Sequence, residues 1–198
     1  MTPTKAVLGA IGLCMLVSTT GCGSSAFDYS KEPDPRKREF VLGASDQLRI
    51  NVWKNPELST DARVRPDGTI TMPLIGDIPA SGRTPSELQK EIAAKLASYV
   101  REGAAVSVAV TEVNSYRFTV GGNVEHGGVF TAKYYVTVSE AIAQAGGLNK
   151  FANPHKLVIV RNDGNVVRRI PIDFERVASG EHPEENLPLI AGDSLFVP

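Results

Sequence analysis

This 198-residue sequence lacks an excess of either acidic or basic residues. Its 21 lysines and arginines nearly balance 22 aspartates and glutamates, which gives a formal net charge of −1. Domains that bind nucleic acid usually carry an excess of basic residues gathered on one face. Because this sequence has no such excess, we predict that nucleic acid is not a partner.

Catalytic and metal-binding motifs are also absent from the sequence. His126, His155 and His182 lie far apart in loops that contain glycine or proline, and none has the spacing of a pair of metal ligands. There is no Gly-x-Ser-x-Gly elbow and no phosphate-binding glycine loop. Asp67 and Asp77 could be imagined as a glycosidase pair, but Asp67 lies in a turn and Asp77 follows a glycine. We predict no enzyme activity, no cofactor and no metal.

Cysteine is scarce, with two residues in the whole chain. Cys14 lies in the apolar run "AVLGAIGLCMLV", which follows Lys5. This run has the length of a signal-peptide core and is shorter than the roughly 20 apolar residues that a membrane-spanning helix needs. We predict that residues 1–21 are a removed export signal. Cys22 is then the single cysteine of the mature chain, and an internal disulfide is impossible.

The stretch "STTGC" places Gly21 directly before Cys22. It resembles a bacterial lipobox, although Thr19 stands where leucine is most common. The resemblance implies that Cys22 is lipidated and anchors the protein to the outer membrane, facing the periplasm. The alternative is an unmodified thiol behind a conventional signal peptide. Residues 22–38 have glycine, serine, proline and mixed charge without a hydrophobic period, and we interpret them as the lipidated N-terminus and a tether.

Residues 39–113 have the pattern of a small α+β domain. "QLRINVW" alternates apolar and polar residues as a half-buried strand does. "VRPDGTITMPLIG", residues 64–76, predicts a hairpin with its turn at Pro-Asp-Gly. Thr84 and Glu87 form the pattern of a capping box at the start of a helix, and "AAVSVAVTEV" returns to the period of a strand. The predicted order is β-β-β-α-β, with four helical side chains on one face: Leu88, Ile92, Leu96 and Tyr99.

Residues 114–198 predict a second α+β unit that resembles a β-grasp fold. A strand broken by Gly121-Gly122 and a turn at "EHGGVF" come before a short helix. That helix is capped by Thr137 and ends at Gly146-Gly147. Two strands joined by Asp163-Gly164 predict a hairpin, and "LIAGDSLFVP" predicts a last strand.

The order of these motifs resembles the outer-membrane polysaccharide export family, the Wza-like exporters. The resemblance rests on Leu-Gly-x-x-Asp, Val-Trp, Pro-Glu-Leu, Arg-Pro-Asp-Gly and Pro-Leu-Ile-Gly, which lie in that order between residues 42 and 76. "AIAQAGGL" and "AGDSLFVP" resemble the soluble-ligand-binding β-grasp domain that follows in this family. Short exporters of exosortase-type gene clusters are the most similar group. Gly43-Ala44-Ser45-Asp46 departs from the usual Gly-Pro-Gly-Asp, and Gly127 replaces a usual proline.

The resemblance implies a subunit of a conduit for exopolysaccharide. The implied partners are further copies of the chain in a ring, an inner-membrane polysaccharide co-polymerase, the polymer itself and a separate outer-membrane β-barrel. The alternative is a lipoprotein that binds a soluble saccharide through its β-grasp domain without forming a conduit. Because long family members continue into a membrane-crossing helix after the last β-grasp domain, the end of this sequence at Pro198 leads us to expect that a separate protein forms the pore.

Three residues are candidates for contacts with the ring or the polymer path. The resemblance places Arg65 and Asp67 on the hairpin that helps to form the inner surface of the ring. The alternative is that the turn residues only end two strands. Trp53 is the single tryptophan, and its indole could stack on a sugar. At the end of an alternating strand, packing in a core or interface is the interpretation that we favour for Trp53.

Overall fold

The computed structural model describes residues 27–100, 105–164 and 166–198, which form two units, each around its own hydrophobic core. Both units combine strands and helices, so the predicted α+β class is confirmed. The first core gathers buried side chains from the strands and helix between residues 42 and 106. The second core gathers side chains between residues 116 and 197.

Among its described residues, the first unit contains five strands and one α-helix. Their bounds are β1 Gln47–Val52, β2 Thr60–Arg63, β3 Thr69–Met72, β4 Gly76–Pro79, α1 Pro85–Leu96 and β5 Val106–Glu112. β1 lies at the centre of a three-stranded antiparallel sheet in the order β2-β1-β5. Four strands come before the helix, so the predicted order β-β-β-α-β is wrong by one strand. β2 is only four residues long and has a single buried residue, Ala62, which leaves little hydrophobic period to detect.

The Pro-Asp-Gly turn forms as predicted, but it does not join the two strands of a ladder. Gly68 N donates to the Arg65 carbonyl oxygen, and the Asp67 carboxylate accepts from Thr69 N at 3.0 Å. β3 then pairs with β4 in a separate two-stranded sheet, while β2 pairs with β1. The chain reverses again at Leu74, whose φ of +69° is unusual for a residue with a side chain. The paired hairpin therefore turns at residues 73–75, about seven residues after the predicted turn at residues 66–68.

Helix α1 begins where the capping box predicts. Thr84 Oγ1 accepts from Glu87 N, and the Glu87 carboxylate accepts from Thr84 N at 2.9 Å. Leu88, Ile92 and Leu96 are buried on one face, as expected. Tyr99 is 58% exposed, so its predicted place on that face is wrong. The helix ends at Leu96, and Tyr99 lies in the turn that follows it.

The part of the second unit that the structure describes contains a five-stranded mixed sheet and two α-helices. Their bounds are β6 Arg117–Gly122, β7 Gly128–Thr131, α2 Val138–Gln144, β8 Leu157–Asp163, β9 Val166–Ile172, α3 Phe174–Ser179 and β10 Ser194–Val197. The strand order is β7-β6-β10-β8-β9, and β10 runs parallel to β6 at the centre. β6 and β10, the first and last strands of this unit, are therefore parallel neighbours, and helix α2 lies between them in the chain. This is the expected β-grasp-like arrangement.

Local signals placed most elements of the second unit correctly. Thr137 and Glu140 form a second capping box at α2, and Gly146 and Gly147 both have positive φ after the helix. The β8–β9 hairpin forms with Asp163 opposite Val166. Helix α3 was not predicted, although Asp173 caps its start and Gly180 ends it with a φ of +79°. Its six residues are too few to show a helical period.

Residues 27–33, which belong to the predicted tether, lie against the second unit. Tyr29 packs on the second core, and its hydroxyl donates to the Pro171 carbonyl oxygen at 2.7 Å. The Glu32 carboxylate accepts from Arg161 Nη1 at 3.1 Å and from Arg168 Nη1 at 2.6 Å. These contacts join residues more than 120 positions apart in the sequence, which no local pattern could indicate.

Asp46 connects the first unit to the segment that leads into the second. Its carboxylate is fully buried and accepts from Gly43 N, Asn114 N, Ser115 N and Ser115 Oγ at 2.7–2.8 Å. Ser45 adopts a φ of +79° in the same turn. The departure from Gly-Pro-Gly-Asp therefore leaves a side chain in the left-handed region, while Asp46 still holds the turn together.

Candidate functional site

The sheet of β3 and β4 carries a polar cluster centred on the Arg65 side chain. Arg65 Nη2 donates to the Asp67 carboxylate at 2.6 Å, and Arg65 Nη1 donates to Asp77 Oδ1 and Thr71 Oγ1 at 3.1 and 3.0 Å. Thr71 Oγ1 also donates to Asp77 Oδ1 at 2.6 Å. We call Arg65, Asp67, Thr71 and Asp77 the Arg65 cluster. The two candidate residues Arg65 and Asp67 are thus brought together in one ion-pair network.

The two carboxylates of this cluster are held in their charged form. Hydrogen bonds from Arg65 and Thr69 keep the pKa of Asp67 well below its usual range. Hydrogen bonds from Thr71 and Arg65 likewise lower the pKa of Asp77. A glycosidase needs one carboxylic acid that keeps its proton near neutral pH. Both carboxylates are therefore poorly suited to donate a proton, and the cluster is suited to holding the shape of the hairpin.

Trp53 lies directly after β1 and is 71% exposed, so it is not part of the core of this chain, and its packing in an interface between subunits stays a prediction. Its backbone N donates to the Ala105 carbonyl oxygen at 2.9 Å. The indole borders an open groove of about 610 Å³ together with Pro56, Ser59 and Ser107. β1 ends at Val52, whose side chain occupies the last inward position, and Trp53 therefore points to the other side. Its surface is available to a partner or a sugar.

The structure does not unite the three candidate residues in one site. Trp53 stands at the end of the β2-β1-β5 sheet, whereas Arg65 and Asp67 belong to the loop before β3. Among the described residues, no hydrogen bond or ion pair joins Trp53 to the Arg65 cluster. They are two separate candidate surfaces on the first unit.

The predicted lipidation site, Cys22, lies outside the described residues. In the described ranges 27–100, 105–164 and 166–198, no helix combines the length and apolarity that crossing a membrane requires. No cluster of three or more potential metal ligands occurs within those same ranges.

Sequence reasoning missed a buried ion-pair network in the second unit. The Arg161 side chain is 1% exposed and donates to the Asp193 carboxylate from Nη2 at 2.7 Å and from Nε at 3.0 Å. Glu32, whose side chain is 4% exposed, bridges Arg161 and Arg168. One feature of the sequence could have indicated this network. Arg161 occupies the inward position that follows buried Leu157 and Ile159 in alternating β8, where a charge requires a partner.

Two family models match the chain in sequence. Residues 34–111 match the model described as polysaccharide biosynthesis/export protein, and residues 117–170 match the SLBB domain. The first match covers the three-stranded sheet, the β3–β4 pair and α1. The second covers β6 to most of β9. The order of the two matches is the order that the sequence motifs suggested.

Three curated proteins illustrate the similarity. The exopolysaccharide production protein ExoF of Rhizobium meliloti (strain 1021) is 34% identical over 131 residues, 60% of this chain and 30% of its own length. The capsule polysaccharide export protein BexD of Haemophilus influenzae is 29% identical over 175 residues, 77% of this chain and 42% of its own. The EPS I polysaccharide export outer membrane protein EpsA of Ralstonia solanacearum is 28% identical over 149 residues, 63% of this chain and 39% of its own length. This chain spans less than half the length of each of these relatives.

Proposed function

The chain belongs to the Wza-like family of polysaccharide export proteins, and we propose that it is a periplasmic, outer-membrane-anchored subunit of an exopolysaccharide export conduit. The observation that carries this proposal is the pairing of a polysaccharide export match with an SLBB match in one chain. The described residues add a rigid junction at Asp46, which holds the start of the second unit on the first. The proposed role is transport and involves no chemical step.

We propose that copies of the chain form a ring. A closed ring of identical subunits needs two different faces on each subunit that meet head to tail. The sheet of the second unit ends in two different edge strands, β7 and β9, which carry the exposed side chains of Val129, Val166 and Val167. In the first unit, the Arg65 cluster and Trp53 are the candidate contacts with a neighbouring subunit or with the polymer. Because the ion pairs fix the hairpin, its geometry would repeat from one subunit to the next.

The remaining proposed partners rest on the resemblance to the short exporters of this family. We propose that an inner-membrane polysaccharide co-polymerase delivers the polymer and that a separate outer-membrane β-barrel passes it through the outer membrane. The second candidate function is a lipoprotein that binds a soluble saccharide without forming a conduit. The SLBB match is the observation that favours this second candidate.

Deletion of the gene tests the proposed function. We expect a strain that lacks this chain to release at least tenfold less exopolysaccharide, because a missing conduit subunit interrupts the path. Polymer or its precursors should accumulate behind the outer membrane. The measurement is the amount of polymer in the medium and in the periplasm, with re-expression of the unaltered chain as the control.

Unchanged release of polymer in the deletion strain would contradict a role in export. Cross-linking on intact cells then separates the two candidate functions. A ladder of products larger than a dimer supports the ring, whereas monomer alone favours the saccharide-binding lipoprotein.

Replacement of Cys22 by serine tests the anchor. Two or more acyl chains are needed for stable attachment to a membrane, and a serine hydroxyl does not replace the thiol that receives them. We expect Cys22→Ser to be exported but to move from the outer-membrane fraction to the soluble periplasmic fraction. Sedimentation and immunoblotting measure this change, with Ser24→Ala as the control. If the variant sediments with membranes as fully as the unaltered chain, the proposal that Cys22 carries a lipid anchor is wrong.

A further inference from the structure

An aromatic cleft lies where the two units meet. It consists of two adjoining cavities of about 260 and 380 Å³ that share Phe40, Tyr116 and Tyr135 as lining residues. Tyr134 and Lys133 line the first cavity, and Arg38 lines the second. We call these six residues the interunit cleft. Its size matches the range of ligand clefts in proteins, roughly 300–1,000 Å³.

The aromatic side chains of the cleft have different roles. Tyr116 is buried, and its hydroxyl donates to the Leu189 carbonyl oxygen and accepts from Val136 N. Tyr135 packs edge-on against Tyr116, with ring centroids 5.4 Å apart. Tyr134 is 64% exposed. Within the described residues, the hydroxyls of Tyr134 and Tyr135 make no hydrogen bond. Tyr116 therefore forms a fixed floor, whereas Tyr134 and Tyr135 offer ring faces and hydroxyls to a ligand.

The lining of the cleft carries more unpaired cations than unpaired carboxylates. The carboxylate of Glu39 accepts from Ser86 N, and Asp163 forms an ion pair with Arg168. Asp163 is thus paired with a cation, whereas Glu39 keeps its negative charge, because a hydrogen bond from an amide does not cancel it. Lys133 and Arg38 have no ion pair within the described ranges. Each cavity therefore presents one free cation beside aromatic surface.

This combination matches the chemistry of an acidic sugar. The apolar CH faces of a pyranose ring stack on tyrosine rings, while its hydroxyls find hydrogen-bond partners in free phenol groups. A carboxylate on the same sugar is attracted by Lys133 and Arg38. A neutral or purely apolar ligand would leave both cations without a partner.

We propose that the interunit cleft binds a short segment of an acidic polysaccharide, with Tyr134 and Tyr135 stacking on the sugars and Lys133 and Arg38 binding their carboxylates. This inference rests on the proposed function, because it names the ligand class and the binding residues for the exported polymer. The cleft holds the ligand between the two units, at the junction that Asp46 fixes.

Titration of the purified full-length mature chain with tetragalacturonic acid tests the cleft, with maltotetraose as the neutral probe. We expect Tyr134→Ala to weaken binding of the acidic probe ~10-fold through loss of the stacking surface. Lys133→Gln should weaken it about fivefold and reduce its dependence on salt. Tyr135→Phe keeps the packing on Tyr116 and removes only the hydroxyl, and a loss of about threefold is expected. Maltotetraose should bind several-fold more weakly than the acidic probe.

Matched controls lie on helix α1 and in the turn after it. Tyr99→Ala removes another exposed tyrosine and Lys95→Gln another exposed cation, and both should leave affinity within about twofold. Absence of binding up to ~10 mM, or equal losses in cleft and control variants, would overturn the proposal. A preference for maltotetraose would overturn the assigned acidic ligand. Capture of a second copy of the chain by the cleft, seen as dimer formation that Tyr134→Ala abolishes, would also overturn it.

The outcomes separate this inference from the proposed function. If deletion of the gene stops export but the acidic probe does not bind, the proposed binding site in the cleft is wrong and the export role stands. If the probe binds in the cleft but deletion leaves export unchanged, the binding site stands and the export role is wrong.

Discussion

Gly122→Ala is expected to lower the free energy of unfolding of the mature chain by about 4 kcal/mol or more. Gly122 ends β6 with a φ of +90°, and a Cβ atom there would lie 2.0 Å from the Val197 carbonyl oxygen. That oxygen belongs to the backbone of the adjacent β10 and also accepts from Asn123 N at 2.8 Å. Because backbone on both sides is held in the sheet, neither strand can move away cheaply.

Gly121→Ala is the matched control for this prediction. Its Cβ would meet no atom within 4 Å, so a loss of about 1 kcal/mol or less is expected. Urea unfolding followed by circular dichroism measures both variants, and the difference in midpoint at equal slope gives the difference in stability. Equal losses in the two variants would show that the close approach of β6 to β10 does not constrain residue 122.

Asp193→Ala is expected to cost about 3–5 kcal/mol of stability, because it leaves a buried guanidinium with too few partners. Arg161 would retain Glu32 and the Pro188 carbonyl oxygen but lose its three hydrogen bonds to the Asp193 carboxylate. The same carboxylate accepts from Ile190 N at 2.8 Å, so the turn before β10 would also lose a hydrogen bond. Urea unfolding again provides the measurement.

Asp61→Ala provides the comparison on the surface. Asp61 pairs with Arg49 at 2.8 Å, but both side chains are more than half exposed. Exposed pairs contribute from almost nothing to about 1 kcal/mol. An equal loss in Asp61→Ala and Asp193→Ala would mean that burial of Arg161 does not raise the cost of removing its partner. Glu32→Gln provides a second test of the buried ion-pair network, because it keeps the shape of the Glu32 side chain and removes its charge.

Short-range chemistry explains what could be predicted of the fold. The two capping boxes, at Thr84 and Thr137, act within a single turn of helix, so a four-residue pattern is enough to place them. The β8–β9 hairpin is similarly local, because its strands are adjacent in the chain and Gly164 has a positive φ. The pairing of β3 with β4 was missed because its reversal depends on Leu74 in an unusual conformation.

The candidate site was predictable only in part. Arg65 and Asp67 are two positions apart in a turn, and their ion pair follows from that spacing. Asp77 joins them from β4, which only the register of the β3–β4 pair could place. The exposure of Trp53 depends on which face of β1 is covered, and the alternating pattern ends before that residue.

The sequence by itself determined the α+β class, the order of helix caps and turns, and membership of the polysaccharide export family. These depend on local periodicity and on motifs read in order along the chain. Only the tertiary structure decided that Glu32 closes a buried ion-pair network, that Asp46 joins the two units and that tyrosines and free cations meet in one cleft. Each of these brings together residues that are far apart in the sequence. Their contacts depend on how whole elements pack, which no local pattern of side chains specifies.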